Sequence, residues 1–246
     1  MTVEERVKYI KNWILKYIKA MPKKPSCLVV GVSGGIDSAV VSTIAALTGL
    51  NVKALSMPIH QLKFQDDLSK AHIQWLKKNF KNVDGLIINL DETFNAFSKT
   101  LNNFNSEHAF ANSRARMRML TLYQVAGSNN GIVVGTGNKV EDFGVGFYTK
   151  YGDGGVDISP IADCLKTEVW EIGKYLNILD EVITAPPTDG LWRDGRTDEK
   201  QLGMTYLELE KAMNDPKDKN HAKYLEIREK NLHKINPIPV CTFDNN

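Results

Sequence analysis

The sequence predicts an α/β fold, namely a doubly wound, mostly parallel sheet with helices on both of its faces. Short runs rich in β-branched residues alternate along the chain with segments in which apolar residues recur every three or four positions. The runs are apolar at consecutive positions, which is typical of parallel strands buried on both sides. With 246 residues, of which 42% are hydrophobic, the chain is long enough to bury such a core.

Four strands and the helices between them can be placed from this alternation. The strands are expected at residues 27–32, 52–57, 86–90 and 132–135. An amphipathic first helix begins with the capping box of Thr2 and Glu5 and ends before Pro22. Further helices are expected at residues 38–47, 66–80, 92–101, 109–127 and 166–178.

The remainder of the chain is expected to complete a single domain. Residues 185–200 have no hydrophobic period and contain Pro186, Pro187, Gly190 and Gly195, which predicts a mobile active-site loop. We expect one domain over residues 1–246, with C-terminal helices from about residue 205 packed on it.

The composition excludes several classes of protein. Lys and Arg number 31 and Asp and Glu 29, and the formal charge of +2 argues against a surface dominated by nucleic acid or anionic lipid. The three cysteines are widely spaced, so we expect buried thiols of a reducing compartment instead of disulfides or a thiolate zinc site. Residues 1–21 are too charged for a signal peptide, and no apolar run approaches the roughly 18 residues of a membrane span. We therefore expect a cytoplasmic protein that binds neither nucleic acid nor membrane.

The most specific motif lies between the first strand and the next helix. It is the octet Gly31, Val32, Ser33, Gly34, Gly35, Ile36, Asp37 and Ser38. Adjacent glycines permit a tight turn in which backbone N–H groups approach an anion, and the helix start adds further unpaired N–H groups. The octet has no lysine, which separates it from the phosphate loop of P-loop NTPases. The alternative is a glycine turn, capped by Asp and Ser, that binds no ligand.

Asp37 is an unexpected residue in a phosphate-binding loop, because a bare carboxylate would repel the phosphates. A Mg²⁺ ion between the carboxylate and the phosphates removes this conflict. The octet resembles the pyrophosphate-binding loop of the N-type ATP pyrophosphatases, which have an adenine nucleotide α-hydrolase-like sheet. The resemblance implies cleavage of ATP between its α and β phosphates, with AMP attached to a substrate oxygen that then becomes part of a leaving group.

A second and longer resemblance narrows the family. Residues 135–141 read Gly-Thr-Gly-Asn-Lys-Val-Glu directly after the fourth strand, and the pattern continues through residues 146–160 and 165–169. These segments resemble the NAD⁺ synthetases, and the likeness extends over most of the chain through Ala185-Pro186, Leu191-Trp192, Thr197-Asp198-Glu199 and His233-Lys234. The pattern starts without the amino-terminal glutaminase domain of the glutamine-dependent members, so the resemblance is to the ammonia-dependent type.

The resemblance implies a ligase that forms a C–N bond. Its substrates would be ATP, deamido-NAD⁺ (nicotinate adenine dinucleotide) and ammonia, and its products NAD⁺, AMP and pyrophosphate. The acid would be activated as an acyl adenylate, because a carboxylate is a poor acylating group at neutral pH. In the family the dinucleotide lies partly in the interface of a homodimer, so a homodimer is expected here.

The same resemblance assigns roles to individual residues by motif. The two residues that would hold Mg²⁺ are Asp37 and Glu141. ATP would contact the octet together with Thr136, Lys166 and Thr188, the last of these displaced by Pro187. Deamido-NAD⁺ would contact Arg116, Lys150, Asp157, His233 and Lys234.

Several of these residues have a simpler alternative role on a helix or in a turn. Thr136 is also a plausible helix cap, and Glu141, Lys166 and the His233-Lys234 pair have a solvated helix as their alternative. Arg114 and Arg118 are expected to share a helix face and Arg116 to point away from them. Asp153, in Gly-Asp-Gly-Gly, is expected to be a turn residue. Residues 142–149 are expected to be one residue longer than in some members of the family.

Three other functions remain open at this stage. The first is amidation of nicotinate mononucleotide by the same chemistry. The second is a different ATP pyrophosphatase, although this chain lacks the paired cysteines and basic module of a transfer-RNA thiolase, and a GMP synthetase would lack the segment 150–157. The third is a non-catalytic nucleotide-binding regulator, which would not require both Asp37 and Glu141.

Overall fold

In a computed structural model, which describes residues 1–192 and 194–243, the chain is built around a parallel sheet of four strands. The strands are β1 (Cys27–Gly31), β2 (Val52–Ser56), β3 (Val83–Ile87) and β4 (Gly131–Val134). Their order across the sheet is β3-β2-β1-β4, and each neighbouring pair is parallel. This arrangement confirms the α/β fold predicted from the sequence.

Ten α-helices and one π-helix are present in the described residues. Before β4 lie α1 (Val3–Ala20), α2 (Ile36–Leu47), α3 (Lys63–Asn79), α4 (Asp91–Thr100) and α5 (Glu107–Ser128). After β4 come the π-helix Lys139–Val145, then α6 (Lys166–Tyr175), α7 (Asp180–Thr184), α8 (Asp198–Leu202), α9 (Tyr206–Asn214) and α10 (His221–Ile235). The long helices lie where periodic apolar residues predict them, whereas the π-helix and the five-residue helices α7 and α8 are too short to carry such a pattern.

Alternate side chains of β1 point to opposite faces of the sheet, as they do in any strand. Leu28 and Val30 pack on one face in a core that includes residues of α1, α2 and α6. Cys27 and Val29 pack on the other face in a core that includes residues of α5. None of the four is more than 5% exposed, so helices cover both faces, as the continuous apolar run predicted.

The third strand begins three residues earlier than expected, at Val83 instead of residue 86. Asp84 and Gly85, which precede the expected start, lie inside it. Glycine is required at position 85, because a β-carbon there would come within 2.4 Å of the Ile73 side chain on α3. The close approach of a helix to the strand therefore decides this residue type, which is a tertiary effect that the local sequence does not reveal.

A third apolar cluster joins the C-terminal helices to the segment after β4. Tyr206 and Leu209 of α9 and Tyr224 of α10 pack together with Val140 and Val145 of the π-helix. Each of these side chains is at most 6% exposed. The single domain over residues 1–246 stays a prediction, and this packing is what we expect of C-terminal helices that belong to it.

Two predictions from composition can be compared with the structure. Cys27 and Cys164 are free and buried, as expected, but Cys241 is exposed, so the expectation of buried thiols was wrong for this residue. It lies beyond the end of α10, where residues 236–243 are all exposed. Among the helices of the described part of the chain, none combines the length and apolar character needed to cross a membrane.

A buried histidine lies between α2 and α3. His72 is fully buried, its Nε2 is 3.0 Å from Ser42 Oγ, and its ring stacks on Trp75 at 5.5 Å between centroids. Its Nδ1 has no hydrogen-bond partner among the described residues. Burial lowers the pKa of His72 to about 4, so the ring is uncharged in the folded chain at neutral pH.

We predict that acid destabilises the fold through His72. An unfolded His72 binds a proton below its ordinary pKa of about 6.5, whereas the folded ring does so only near 4, so stability falls as the pH drops through this window. In His72→Gln, the loss of unfolding free energy between pH 7 and pH 5 should be smaller by about 2 kcal/mol. Urea unfolding of both proteins at the two pH values measures this, and equal losses would contradict the prediction.

Candidate active site

The octet that follows β1 forms a tight turn that requires glycine at position 34. Gly34 has a φ of +92°, and a β-carbon on it would lie 2.8 Å from the backbone oxygen of Gln65 on α3. Gly35 is then the N-cap of α2, which begins at Ile36. Because the first N–H groups of a helix have no partners within it, the start of α2 provides donors for an anion at the end of β1.

Two serine hydroxyls hold this turn in shape. Ser38 Oγ donates to the carbonyl oxygen of Gly35 at 2.9 Å and accepts from the Ser33 N–H at 3.1 Å. Ser33 Oγ accepts from the Gly35 N–H at 3.2 Å. The turn is therefore stabilised by its own side chains without a ligand.

A cavity of about 660 Å³ opens beside this turn, and its size is typical of a ligand site. All eight residues of the octet line it, as do four further predicted residues, Thr136, Glu141, Lys166 and Thr188. Since β1 has β2 on one side and β4 on the other, the cavity lies at the topological switch point, where open α/β sheets bind their ligands.

The centre of the site is an ion triad of Asp37, Lys166 and Glu141. Lys166 Nζ is 2.5 Å from Asp37 Oδ2 and 2.8 Å from Glu141 Oε1. Lys166 is the first residue of α6 and is only 2% exposed. The two carboxylates, which follow different strands, are thus brought to one point, as the sequence predicted from their positions after parallel strands.

Asn138 couples the two sides of the triad. Its Nδ2 donates to Asp37 Oδ1 at 3.0 Å, and its Oδ1 accepts from the N–H groups of Val140 and Glu141, both at 3.0 Å. Asn138 therefore caps the π-helix and at the same time orients the carboxylate of Asp37. No role was assigned to it from the sequence, because its partner lies 101 residues away.

The charges of the triad depend on one another. Burial alone acts to lower the pKa of Lys166, but the two carboxylates outweigh burial and raise it, so the lysine stays protonated. Burial acts to raise the pKa of Glu141, but Lys166 and the Tyr206 hydroxyl hold it below its ordinary value. Burial raises the pKa of Asp37, which Lys166 only partly offsets because Glu141 also repels it. Since one lysine faces two carboxylates, a further positive charge can be accommodated between them.

Two residues behind Glu141 extend this network. The Tyr206 hydroxyl contacts Glu141 Oε1 and lies 3.2 Å from Asp198 Oδ2. Tyr206 is 1% exposed and Asp198 is 5% exposed. The motif Thr197-Asp198-Glu199 was part of the family resemblance, but no chemical role was assigned to Asp198 or Tyr206 from the sequence.

Basic residues from three segments of the chain also line the cavity. Arg116 Nε donates to the carbonyl oxygen of Lys150 at 3.1 Å, and Lys150 Nζ donates to the carbonyl oxygen of His233 at 2.7 Å. Lys234 Nζ donates to the carbonyl oxygen of Tyr148 at 2.9 Å. Four predicted substrate residues, from three distant segments, therefore line one region of the cavity: Arg116, Lys150, His233 and Lys234.

Asp157, the fifth predicted substrate residue, does not line this cavity. Its carboxylate accepts from the Val133 N–H at 2.7 Å and from the Tyr123 hydroxyl at 3.0 Å. Thr188 lines the cavity but donates its hydroxyl to the carbonyl oxygen of Arg196 at 3.1 Å. Residues 185–200, predicted to be a mobile loop, include the start of α8, and Arg193 within them lies outside the described residues. The mobility of this loop stays a prediction.

The sequence missed other polar residues of the cavity. Arg118 lines it beside Arg116, although the helical spacing had placed the two on different faces of α5. Arg118 donates to the carbonyl oxygen of Met57 at 2.9 Å and to Gln61 Oε1 at 2.8 Å. Asp153 accepts from the Thr149 N–H, as expected of a turn residue, but it also lines the cavity.

Comparison with known proteins identifies the family of this chain. The family model described as NAD synthase matches residues 6–240. The NH(3)-dependent NAD(+) synthetase of Carboxydothermus hydrogenoformans is 38% identical over 211 residues, which cover 84% of each chain. The NH(3)-dependent NAD(+) synthetase of Mycoplasma genitalium is 38% identical over 241 residues, which cover 94% of this chain and 93% of the relative.

Solved structures agree with this assignment. The NMN synthetase from Francisella tularensis superposes with a TM-score of 0.90 at 31% identity, covering 99% of this chain and 100% of that one. The NH3-dependent NAD synthetase from Campylobacter jejuni superposes with a TM-score of 0.80 at 26% identity, covering 98% and 100% of the two chains. Since the family model matches residues 6–240 and relatives are 38% identical over most of their length, this chain belongs to the NAD synthase family.

Proposed function

We propose that this protein catalyses the ATP-dependent amidation of deamido-NAD⁺ by ammonia, forming NAD⁺, AMP and pyrophosphate through an acyl adenylate. The observation that carries the proposal is the meeting of Asp37, Glu141 and Lys166 beside the glycine turn, in one cavity with the basic residues Arg116 and Lys150. The reaction needs this combination, because it brings together two anionic substrates and builds up charge on a phosphate during the chemical step.

Each part of the cavity has a task in this reaction. The N–H groups at the start of α2 and in the glycine turn receive the charge that develops on the departing pyrophosphate. Lys166, with its preserved positive charge, faces the same phosphates. The basic residues that line the cavity hold the anionic acid, so that its carboxylate meets the α-phosphorus of ATP and later the ammonia. No covalent enzyme nucleophile is required.

Mg²⁺ fits the donor set of the triad. Within the described residues there is no ready-made cluster of three or more acidic, histidine or cysteine side chains for a metal, so ATP itself would have to supply ligands. The carboxylates of Asp37 and Glu141 meet at the Lys166 ammonium group, and their combined charge of −2 exceeds the +1 of the lysine. Both are hard oxygen donors, which is the donor set expected for a magnesium–nucleotide complex. When bound by these two residues, Mg²⁺ would neutralise phosphate charge.

We also propose that the chain is a cytoplasmic homodimer in which two copies meet through α5. Leu120 and Tyr123 on this helix are 70% and 39% exposed. The Tyr123 hydroxyl bonds to Asp157, so Asp157 shares this surface. A dinucleotide held partly between two chains would reach Asp157, which accounts for a substrate residue outside the cavity of its own chain.

A second candidate function is the amidation of nicotinate mononucleotide. It is favoured by the superposition with the Francisella tularensis NMN synthetase, which has a TM-score of 0.90 and spans 99% of this chain. The mononucleotide carries the same nicotinate carboxylate, and the chemistry at the ion triad would be identical. Only the contacts beyond the first phosphate of the substrate would differ.

A comparison of the two acids tests both functions. We predict that pyrophosphate is released from ATP only when one of the acids is present and that repeated turnover also needs ammonium. Deamido-NAD⁺ should be turned over faster than nicotinate mononucleotide. Measuring kcat/KM for each acid at equal enzyme concentration decides between them. Release that depends on neither acid would refute amidation, and a preference for the mononucleotide would favour the second candidate.

Asp37→Ala is predicted to abolish adenylation while the fold remains intact. The variant removes one of two carboxylates that meet the cation, so pyrophosphate release should fall by more than about a hundredfold. Asp163→Ala is the matched control, because Asp163 is 95% exposed and only pairs with Lys139 on the surface. Near-normal turnover of Asp37→Ala would contradict the role given to this residue.

Glu141→Gln is predicted to raise the Mg²⁺ concentration needed for activity. The amide keeps the size of the side chain and its contact with Tyr206 but removes the negative charge, so the magnesium titration should shift by about tenfold or more. Turnover at saturating Mg²⁺ is the internal reference for this shift. An unchanged titration curve would count against Glu141 as a ligand.

A further inference from the structure

The Tyr206 hydroxyl lies between two carboxyl groups, and it has only one proton. It contacts Glu141 Oε1 on one side and is 3.2 Å from Asp198 Oδ2 on the other. A phenol keeps its proton at neutral pH, because its ordinary pKa is about 10. A hydroxyl can donate to one acceptor only, so for both contacts to be hydrogen bonds one of the two carboxyl groups must itself donate to the tyrosine oxygen.

The neighbours of the two acids decide which of them is protonated. Glu141 accepts from Lys166 Nζ at 2.8 Å, and this contact favours its charged form. Asp198 has no cation in contact within the described part of the chain, and its buried Oδ1 has no hydrogen-bond partner there. Because Lys166 favours the charged form of Glu141 and no such contact favours that of Asp198, we assign the proton to Asp198. Burial and the charges of Glu141 and Asp189 raise the pKa of Asp198, which agrees with this assignment.

We propose that Asp198 acts as a neutral acid that positions Glu141. Its carboxyl O–H donates a hydrogen bond to the Tyr206 oxygen, and the Tyr206 O–H donates a hydrogen bond to the Glu141 carboxylate. We call these two linked hydrogen bonds the relay. The donated bond would orient Glu141 toward Asp37, where the proposed function needs both oxygens to meet one cation. The inference rests on that function for the role of Glu141. Asp198 is a positioning residue here, since it acts through Tyr206.

Backbone and ring contacts support both ends of this relay. The Asp198 N–H donates to the carbonyl oxygen of Pro187 at 3.0 Å. The Tyr206 N–H donates to Glu199 Oε1 at 3.1 Å, and its ring packs edge-on against Trp170 at 5.8 Å between centroids. An outer hydrogen-bond partner orients a metal-facing carboxylate, and loss of such a partner typically weakens metal binding 10- to 100-fold.

The test compares an amide with a truncated side chain at position 198. In Asp198→Asn, the amide N–H still donates to the tyrosine oxygen, whereas Asp198→Ala leaves it without a donor. The probe is Mn²⁺, whose binding is measured by electron paramagnetic resonance in the presence of α,β-methylene-ATP. We expect Asp198→Asn to bind Mn²⁺ as tightly as the wild type and Asp198→Ala to bind it about 10- to 100-fold more weakly. Equal weakening in the two variants, or none in Asp198→Ala, would overturn the proposal.

A double-mutant cycle keeps the proposal testable if Asp198→Ala loses stability. In a Tyr206→Phe background, which lacks the connecting hydroxyl, Asp198→Asn and Asp198→Ala should bind Mn²⁺ equally well, because the relay is already broken. A further loss in the Asp198→Ala double variant would overturn the relay. Asp218→Ala is the matched control. The Asp218 side chain is also only 5% exposed, but it pairs with Lys211 and does not line the cavity.

The wild-type measurement separates this inference from the proposed function. Mn²⁺ binding that depends on nucleotide and is abolished in Asp37→Ala supports the metal site by itself, whatever the Asp198 variants do. Wild-type protein that binds no Mn²⁺ with the nucleotide analogue would overturn the metal site and the relay together. Pyrophosphate release by Asp198→Asn at wild-type rates would support the relay by a second readout.

Discussion

The ion triad of Asp37, Lys166 and Glu141 is the interaction on which the arrangement of this site depends. Its members belong to the first turn of α2, the first residue of α6 and the π-helix after β4. Lys166 is almost fully buried, and a buried charge that loses all its partners costs about 3–5 kcal/mol. The three segments therefore stabilise one another where they meet, because the carboxylates of two of them compensate the buried charge of the third.

The cavity that results is lined by charges of both signs. At the triad, one lysine faces two carboxylates, and Asp142 and Asp153 also line the cavity. Cationic side chains from α5, from the segment after the π-helix and from α10 line the same cavity. Such a lining suits a reaction between a metal-bound triphosphate and an anionic acid, because carboxylates attract the metal and cations attract the acid.

The C-terminal helices are part of this site. Tyr206 at the start of α9 reaches Glu141, Asp198 at the start of α8 reaches Tyr206, and α10 contributes His233 and Lys234 to the cavity. The apolar cluster between these helices and the π-helix holds them in place. Part of the π-helix falls within residues 142–149, which are expected to be one residue longer than in some members of the family. The wider turns of a π-helix accommodate more residues than those of an α-helix.

By itself, the sequence determined the order and type of the long elements, the glycine turn, the pairing of Asp37 with Glu141 and the family. These depend on local periodicity and on short motifs, which involve residues close together in the sequence. They also depend on the general rule that parallel strands end at one edge of the sheet. Only the tertiary structure decided that β3 contains Gly85, that Arg118 reaches the cavity, that Asp157 lies outside it and that Asp198 contacts Tyr206. Each of these depends on how closely separate elements pack and on where their side chains then meet, and no spacing along the chain encodes that distance.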